Sequence, residues 1–385
     1  MKYSAGSVYS IKTPEWSRRK DDMAVFKGFE HGMGIGGWLT NYKRFNVLPV
    51  EKRFDLMVGD FEHFESYITE DDIAYIASLG MDHVRLGFDQ VVLEESPGVY
   101  RECIFRKLDE FVSWCGKYSL NIVLNLHKAI GNYCDIPEKV QLMTDSGLQE
   151  RFIDLWLEVE ERFSDKPYIA FELLNEVRDI DGELWNSVAD KVICALRNRN
   201  KNRTLIIGGT HWNSPHTLKD LRFYDDENIV YTFHFYAPFE FTHQQGVLQE
   251  HPLYYNRKMP YPGDIERYRD YQKTLFNADA SYSGFDRMDI NYLAGELESV
   301  RAFEAQHPTA KLWCGEFGTI RHAKLEWREN YMHDLISLFK KYNLSYCVWN
   351  YLSTPNDGNR FSLVDDDSRK ILSQRLADII AGKLD

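Results

Sequence analysis

Short runs of apolar, β-branched and aromatic residues recur along the chain, and between them lie stretches with apolar positions at helical spacing. The runs predict strands over Lys27–Phe29, His83–Phe88, Asn121–His127, Ile169–Leu174, Thr204–Gly208, Ile229–Tyr236, Leu312–Phe317 and Tyr346–Tyr351, eight in all. The helical stretches are Thr69–Leu79, Ile104–Tyr118, Leu148–Phe163, Leu184–Leu196, Leu325–Tyr342 and Arg369–Ile380. Thr69 suits an N-cap, acids fill the first turn after it, and Gly80 supplies a stop.

Strand alternating with helix calls for parallel strands joined by crossovers. Eight such units in 385 residues predict a closed (β/α)8 TIM barrel, class α/β. A doubly wound open sheet is the runner-up, but no glycine-rich phosphate loop follows an early strand as that fold would want. Two intervals, 39–68 and 237–311, exceed simple connections and are expected to be elaborated loops on the C-terminal face, where barrels build their sites. No linker composition separates them, so residues 1–385 read as one domain.

Composition narrows the function classes. A net charge of −13 repels a phosphate backbone, so nucleic acid is not an expected partner. No basic amphipathic segment and no apolar run of membrane-spanning length argue for a membrane. Residues 1–25 are polar and charged, without the apolar core of a secretory signal, which predicts a cytoplasmic protein; a secreted form whose leader was removed is the alternative. The six cysteines show no metal-ligand spacing. Aromatic residues, 14% of the chain, are abundant for a soluble protein; core packing explains most of them, and the remainder suits a binding surface of flat apolar faces with polar edges.

The chemistry lies at the ends of the strands. Leu173-Leu174-Asn175-Glu176 and Trp313-Cys314-Gly315-Glu316-Phe317-Gly318 are apolar runs that each deliver a glutamate. Two carboxylates facing one cleft are the minimal equipment for hydrolysing a glycosidic bond. Further polar or aromatic residues occupy the other tips: Arg85 or Asp89, His127, His211-Trp212, His234 with Tyr236, and Trp349 with Asn350. Singly, each has a structural explanation: Glu176 as a helix N-terminal acid, Arg85 as a core ion-pair partner, His127 and His234 as core histidines, Trp349 as packing. Together, at corresponding positions of successive strands, they converge on one site. No His-x-His pair supports a metal barrel and no Gly-x-Ser-x-Gly supports a serine nucleophile, so neither metal nor cofactor is expected.

These segments resemble glycoside hydrolase family 5, the cellulase-type retaining glycosidases built on a (β/α)8 barrel. Asn175-Glu176 resembles the family's acid/base pair, and Trp313 through Gly318 its nucleophile segment. Val84-Arg85-Leu86 resembles the strand whose arginine supports the nucleophile. Asn125-Leu126-His127-Lys128-Ala129 resembles the stretch lining the sugar subsite nearest the cleavage point. His234-Phe235-Tyr236-Ala237-Pro238, followed by Phe241-Thr242-His243-Gln244, resembles the segment flanking the two carboxylates. Trp349 falls where the family has its aromatic platform. Two departures are visible: Val177 stands where proline is frequent, and Gly34 stands for an asparagine in Gly32-Met33-Gly34-Ile35-Gly36-Gly37-Trp38. Neither touches a catalytic group.

The resemblance implies retaining hydrolysis of a β-glycosidic bond in an oligo- or polysaccharide. Glu316 would be the nucleophile and Glu176 the general acid/base, with carboxyl groups about 5–5.5 Å apart. Asn175 would bond the sugar 2-hydroxyl, and Trp38, Trp212 and Trp349 would offer stacking surfaces. An endo-β-1,4-glucanase is the favoured activity. A β-mannanase, an exo-acting β-glucosidase or exo-β-1,3-glucanase, and a non-catalytic carbohydrate-binding barrel are the alternatives.

Overall fold

The computed structural model describes residues 24–40, 56, 58–133, 140–247, 250–278, 281–354 and 357–383. Eight parallel strands close into a barrel: β1 (His31–Leu39), β2 (His83–Asp89), β3 (Asn121–Lys128), β4 (Ile169–Glu172), β5 (Leu205–Gly208), β6 (Ile229–Phe235), β7 (Lys311–Phe317) and β8 (Ser345–Val348). Each strand pairs with its neighbours in chain order, and β8 closes against β1 through His31–Tyr346 and Gly32–Cys347.

Two cores follow from the period-two alternation of strand side chains. Residues pointing outward pack beneath the helices in a large continuous cluster. The inward set, Val123, Ala170, Ile206, Val230, Trp313 and Cys347, fills the barrel with Phe26 and Phe29. Those two rings stack at 4.1 Å and belong to the segment preceding β1. The strand expected at Lys27–Phe29 is therefore displaced. Its apolar residues join the inner core, Lys27 and Gly28 form a turn, and β1 begins at His31.

β1 has a composition that disguises it. Its inward positions are Gly32, Gly34 and Gly36, and each makes room for a larger neighbour. A Cβ on Gly32 would lie 2.1 Å from His83 Nε2, and one on Gly36 only 2.4 Å from the Trp349 ring. The same ring would be 2.9 Å from a Cβ on Gly34, so a side chain at this position would displace it.

The helices match their sequence signals more closely. Glu70–Ser78 starts after Thr69, whose backbone N–H donates to the Asp72 carboxylate at 2.8 Å. The last helix is shorter than expected, Gln374–Ile380, with Ser373 as its N-cap. Asp365 accepts from the backbone of Asp367 and Ser368, closing a turn before Arg369 adopts φ 53°. The long interval after β6 carries helices Ile265–Phe276, Ile290–Glu296 and Glu298–Gln306. Residues 41–55 and 57 of the earlier interval lie outside the described residues, and the helix Val58–Ser66 follows them. Among the described residues, no helix is long and apolar enough to cross a membrane.

Candidate active site

At the C-terminal ends of β4, β6 and β7 a buried charge network is assembled around Arg85, which rises from the middle of β2. This guanidinium, fully enclosed, donates to Glu172 from Nε at 2.6 Å and Nη2 at 2.9 Å. It also donates from Nη1 to Glu316 Oε1 at 2.5 Å and from Nη2 to Asn175 Oδ1 at 2.7 Å. One buried cation between two carboxylates leaves one negative charge on the pair, and the fork geometry fixes both acids bidentately or singly in known orientations.

Glu316 reaches this network through a register change. Along a regular strand Glu316 would alternate with inward-facing Trp313 and Gly315 and so point outward. Opposite β6, however, Cys314 pairs with Phe233 and Glu316 pairs with His234, so β7 carries one extra residue at Gly315. This bulge turns Glu316 into the barrel mouth. Glu176 uses a different device: at φ 43° it is held in a left-handed conformation just beyond β4.

His234 bridges the two acids, with Nδ1 2.9 Å from Glu176 Oε1 and 3.6 Å from Glu316 Oε2. One oxygen of each carboxylate and this nitrogen lie within 4.8 Å of one another. The same Glu316 oxygen, Oε2, accepts from the Tyr236 hydroxyl at 2.9 Å. The same three donors are the one His/Cys/Asp/Glu group of metal-binding size among the described residues. Arg85 and Tyr236 occupy the Glu316 oxygens, however, and the set works as an ion-pair and hydrogen-bond network.

The environments drive the two acids apart. Burial raises the Glu176 carboxyl, and the nearby Glu316 charge adds to that effect against the lowering influence of His234. Burial also pushes Glu316 up, but the facing His234, the Arg85 guanidinium and the Tyr236 hydroxyl outweigh it and hold the group at about 2. Glu176 is thus the partner disposed to keep a proton and Glu316 the one disposed to stay ionised. Their side-chain exposures, 21% and 5%, leave Glu176 the more accessible of the two.

A platform closes one side. The rings of Trp349 and His127 lie parallel, 5.6 Å apart, and the Arg85 guanidinium carbon stands 5.9 Å from the Trp349 ring centre. His127 Nδ1 lies 3.0 Å from Asn125 Oδ1, and burial lowers its titration to about 3, so the ring is neutral.

A profile described as Cellulase (glycosyl hydrolase family 5) matches residues 51–354. The chain belongs to glycoside hydrolase family 5. Endoglucanase C of Acetivibrio thermocellus is 38% identical to this hydrolase over 362 residues, 92% of this chain and 98% of that protein. Cellodextrinase A of Ruminococcus flavefaciens is 29% identical over 329 residues, 84% and 85% of the two chains. In fold, the barrel is similar to Thermotoga maritima Cel5A solved with cellobiose, with a TM-score of 0.69 at 23% identity over 92% of this chain and 98% of that one.

In this family 5 hydrolase, Arg85, His127, Asn175, Glu176, His234, Tyr236, Glu316 and Trp349 gather at one mouth of the barrel. Trp212 lies on the same rim, 43% exposed, and its backbone N–H donates to Val177 at 2.9 Å, one residue past Glu176. Trp38 does not belong to this group. It is completely buried, its Nε1 donates to Phe64 O at 2.8 Å, and its ring packs on Trp114 and Phe111. The sugar-stacking role expected for Trp38 is therefore withdrawn, because the last residues of β1 turn this ring outward beneath the helices. Two residues went unforeseen. Glu172 was legible as an acid inside a buried strand run, where a cation has to compensate it. Asn213 sits in a loop whose sequence gives no such signal, yet its Nδ2 lies 3.3 Å from His234 Nε2.

Proposed function

We propose that this family 5 hydrolase is a retaining endo-β-1,4-glucanase, with Glu316 as nucleophile and Glu176 as general acid/base. The observation that carries this reading is the pair of carboxylates, with oxygens within 4.8 Å, pushed in opposite directions by their surroundings. Oxygens this close suit the carboxyl separation of about 5–5.5 Å of a retaining enzyme better than the about 6.5–9.5 Å that an inverting enzyme keeps for its water.

In the first step Glu316 attacks the anomeric carbon while the bond to the leaving oxygen breaks, and Glu176 gives that oxygen its proton. The glucosyl ester on Glu316 is then attacked by water, whose proton returns to Glu176 as the ester bond breaks. Arg85 and Tyr236 hold Glu316 ionised and oriented for the first step. Tyr236 and Arg85 then stabilise the carboxylate as it leaves. Asn175, its Oδ1 already engaged by Arg85, presents its amide to the sugar 2-hydroxyl, and Trp349 with His127 supports the reacting ring. Trp212 at the rim offers a stacking face on the leaving-group side, next to Glu176.

The linkage assignment rests on the similarity to an endoglucanase over nearly the whole chain. The test is incubation with cello-, laminari- and manno-oligosaccharides and identification of products, with Glu316→Ala in parallel. A ladder of shorter cello-oligomers, abolished in the variant, supports the proposal. Release of a single small sugar from one end would replace it with exo action, and cleavage of the manno series alone with a β-mannanase.

A further inference from the structure

We propose that Asn213 is a positioning residue for the acid/base: its amide decides which ring nitrogen of His234 carries the proton, and thereby which oxygen of Glu176 is free to protonate the leaving group. The inference rests on the catalytic reading given above for Glu176, and it begins from backbone geometry. His211, Trp212 and Asn213 form three consecutive residues in the left-handed region, with φ of 51°, 57° and 55°. Such a run costs free energy at each non-glycine residue and persists where surrounding structure enforces it. What it achieves here is to bring the Asn213 side chain, fully buried, against His234.

Space for that side chain is provided by Gly208. A Cβ there would lie 2.6 Å from both Cγ and Oδ1 of Asn213 and 2.7 Å from Nδ2. The amide is thus housed in a slot that no other residue type at 208 would leave open. Inside it, Nδ2 faces His234 Nε2 at 3.3 Å, while Oδ1 has no hydrogen-bond partner among the described residues. An amide with one end engaged and one end idle, on a strained backbone, is placed for its single contact.

The contact has a consequence for the proton on Glu176. With Nδ2 donating, Nε2 must be the acceptor, so the ring hydrogen resides on Nδ1 and is donated to Glu176 Oε1 at 2.9 Å. Oε1 is then occupied as an acceptor, and the acid's proton is left on Oε2. If Nε2 carried the hydrogen instead, Nδ1 would present a lone pair and would take the Glu176 proton into an internal hydrogen bond. The groups that face His234 from the packed elements are Glu176 after β4, Glu316 on β7, Arg85 on β2, His127 on β3 and Tyr236 at the end of β6. None of them touches Nε2 in the described hydrogen bonds, so the choice of tautomer falls to Asn213.

Asn213→Asp tests this. The replacement keeps the size and the tolerance for left-handed φ, but presents only acceptors to Nε2. Nitrogen-15 spectra of histidine-labelled protein read the tautomer directly and need no activity. The wild type should show His234 with hydrogen on Nδ1 and an unprotonated Nε2; the variant should show a protonated Nε2. On cellotetraose, whose leaving group needs the acid, kcat should fall by about tenfold or more with KM little changed. On an activated dinitrophenyl cellobioside, whose leaving group does not, kcat/KM, which reports the first step, should change less than about twofold. A wild-type ring protonated on Nε2, or equal losses on both substrates, would overturn the proposal. If the wild type cleaved neither glycoside, the catalytic reading would fail, while the spectra would still decide whether Asn213 sets the tautomer.

Discussion

Glu316 stands opposite His234 because β7 carries one residue more than β6 between Cys314 and Glu316. The extra residue is Gly315, and its position is tight: a Cβ there would lie 2.6 Å from Thr232 Oγ1 and 3.0 Å from the Trp313 ring. Gly315→Ala should therefore push β7 off β6 and move the Glu316 carboxylate. We expect a loss of about a hundredfold or more in kcat, since a displacement of about 1 Å at a reacting group costs that much. Circular dichroism should stay native while turnover of cellotetraose falls.

Arg85 serves both stability and chemistry. Removing it leaves Glu172 fully buried without its cation and frees Glu316 from the 2.5 Å contact. Arg85→Met should destabilise the fold by about 3–5 kcal/mol, the cost of breaking a buried pair from one side. The double variant Arg85→Met with Glu172→Gln should recover part of that loss in urea unfolding without recovering activity. Full recovery of activity would show that Arg85 acts only as a structural counter-ion.

The opposed titrations of the two acids give stability signatures of opposite sign. Glu316 has a folded value of about 2, below the unfolded carboxylate value of about 4.3. Its ionised form therefore contributes stability that is complete above about pH 4.3 and is lost as pH falls toward 2. The stability gap between wild type and Glu316→Gln should hold level from pH 6 down to about pH 5 and narrow as pH is lowered through about 4.3 toward 2. Glu176 has a raised folded value, so its contribution is complete below about pH 4.3 and is lost as pH rises through that folded value. Glu176→Gln should accordingly gain on the wild type with rising pH. Urea midpoints across that range measure both trends.

Trp38 and Trp349 should separate cleanly. Trp38→Phe removes the hydrogen bond to Phe64 O from the core and should cost about 1–3 kcal/mol, with kcat and KM unchanged. Trp349→Ala removes the ring that packs over Gly34, Gly36 and His127, and should lower kcat/KM on cello-oligosaccharides by at least about tenfold. Denaturant melts and oligosaccharide kinetics on the two variants check the contrast.

Which parts of this were legible in the sequence follows from what each residue has to do. Glu176, Glu316, Arg85, His234 and Tyr236 announce themselves because a charged or hydrogen-bonding group at the end of an apolar run is costly unless it is used. Seven barrel strands and most helices are marked by the same apolar periodicity. β1 escapes because its inward residues are glycines, whose purpose is visible only once Trp349 and His83 are seen filling the space. Trp38 misleads for a related reason: the glycine-rich segment points to the mouth, but its final tryptophan has rotated to the outer core. The bulge at Gly315 and the left-handed run ending at Asn213 depend on contacts between distant strands, which no local pattern encodes.

The central claim is that Glu316 and Glu176 act by double displacement, and proton NMR of the first-formed product tests it most directly. Cellotetraose hydrolysed by the wild-type enzyme should release the β-anomer at the new reducing end before mutarotation brings in the α-anomer. Initial appearance of the α-anomer would mean single displacement and would contradict the assignment of Glu316 as nucleophile.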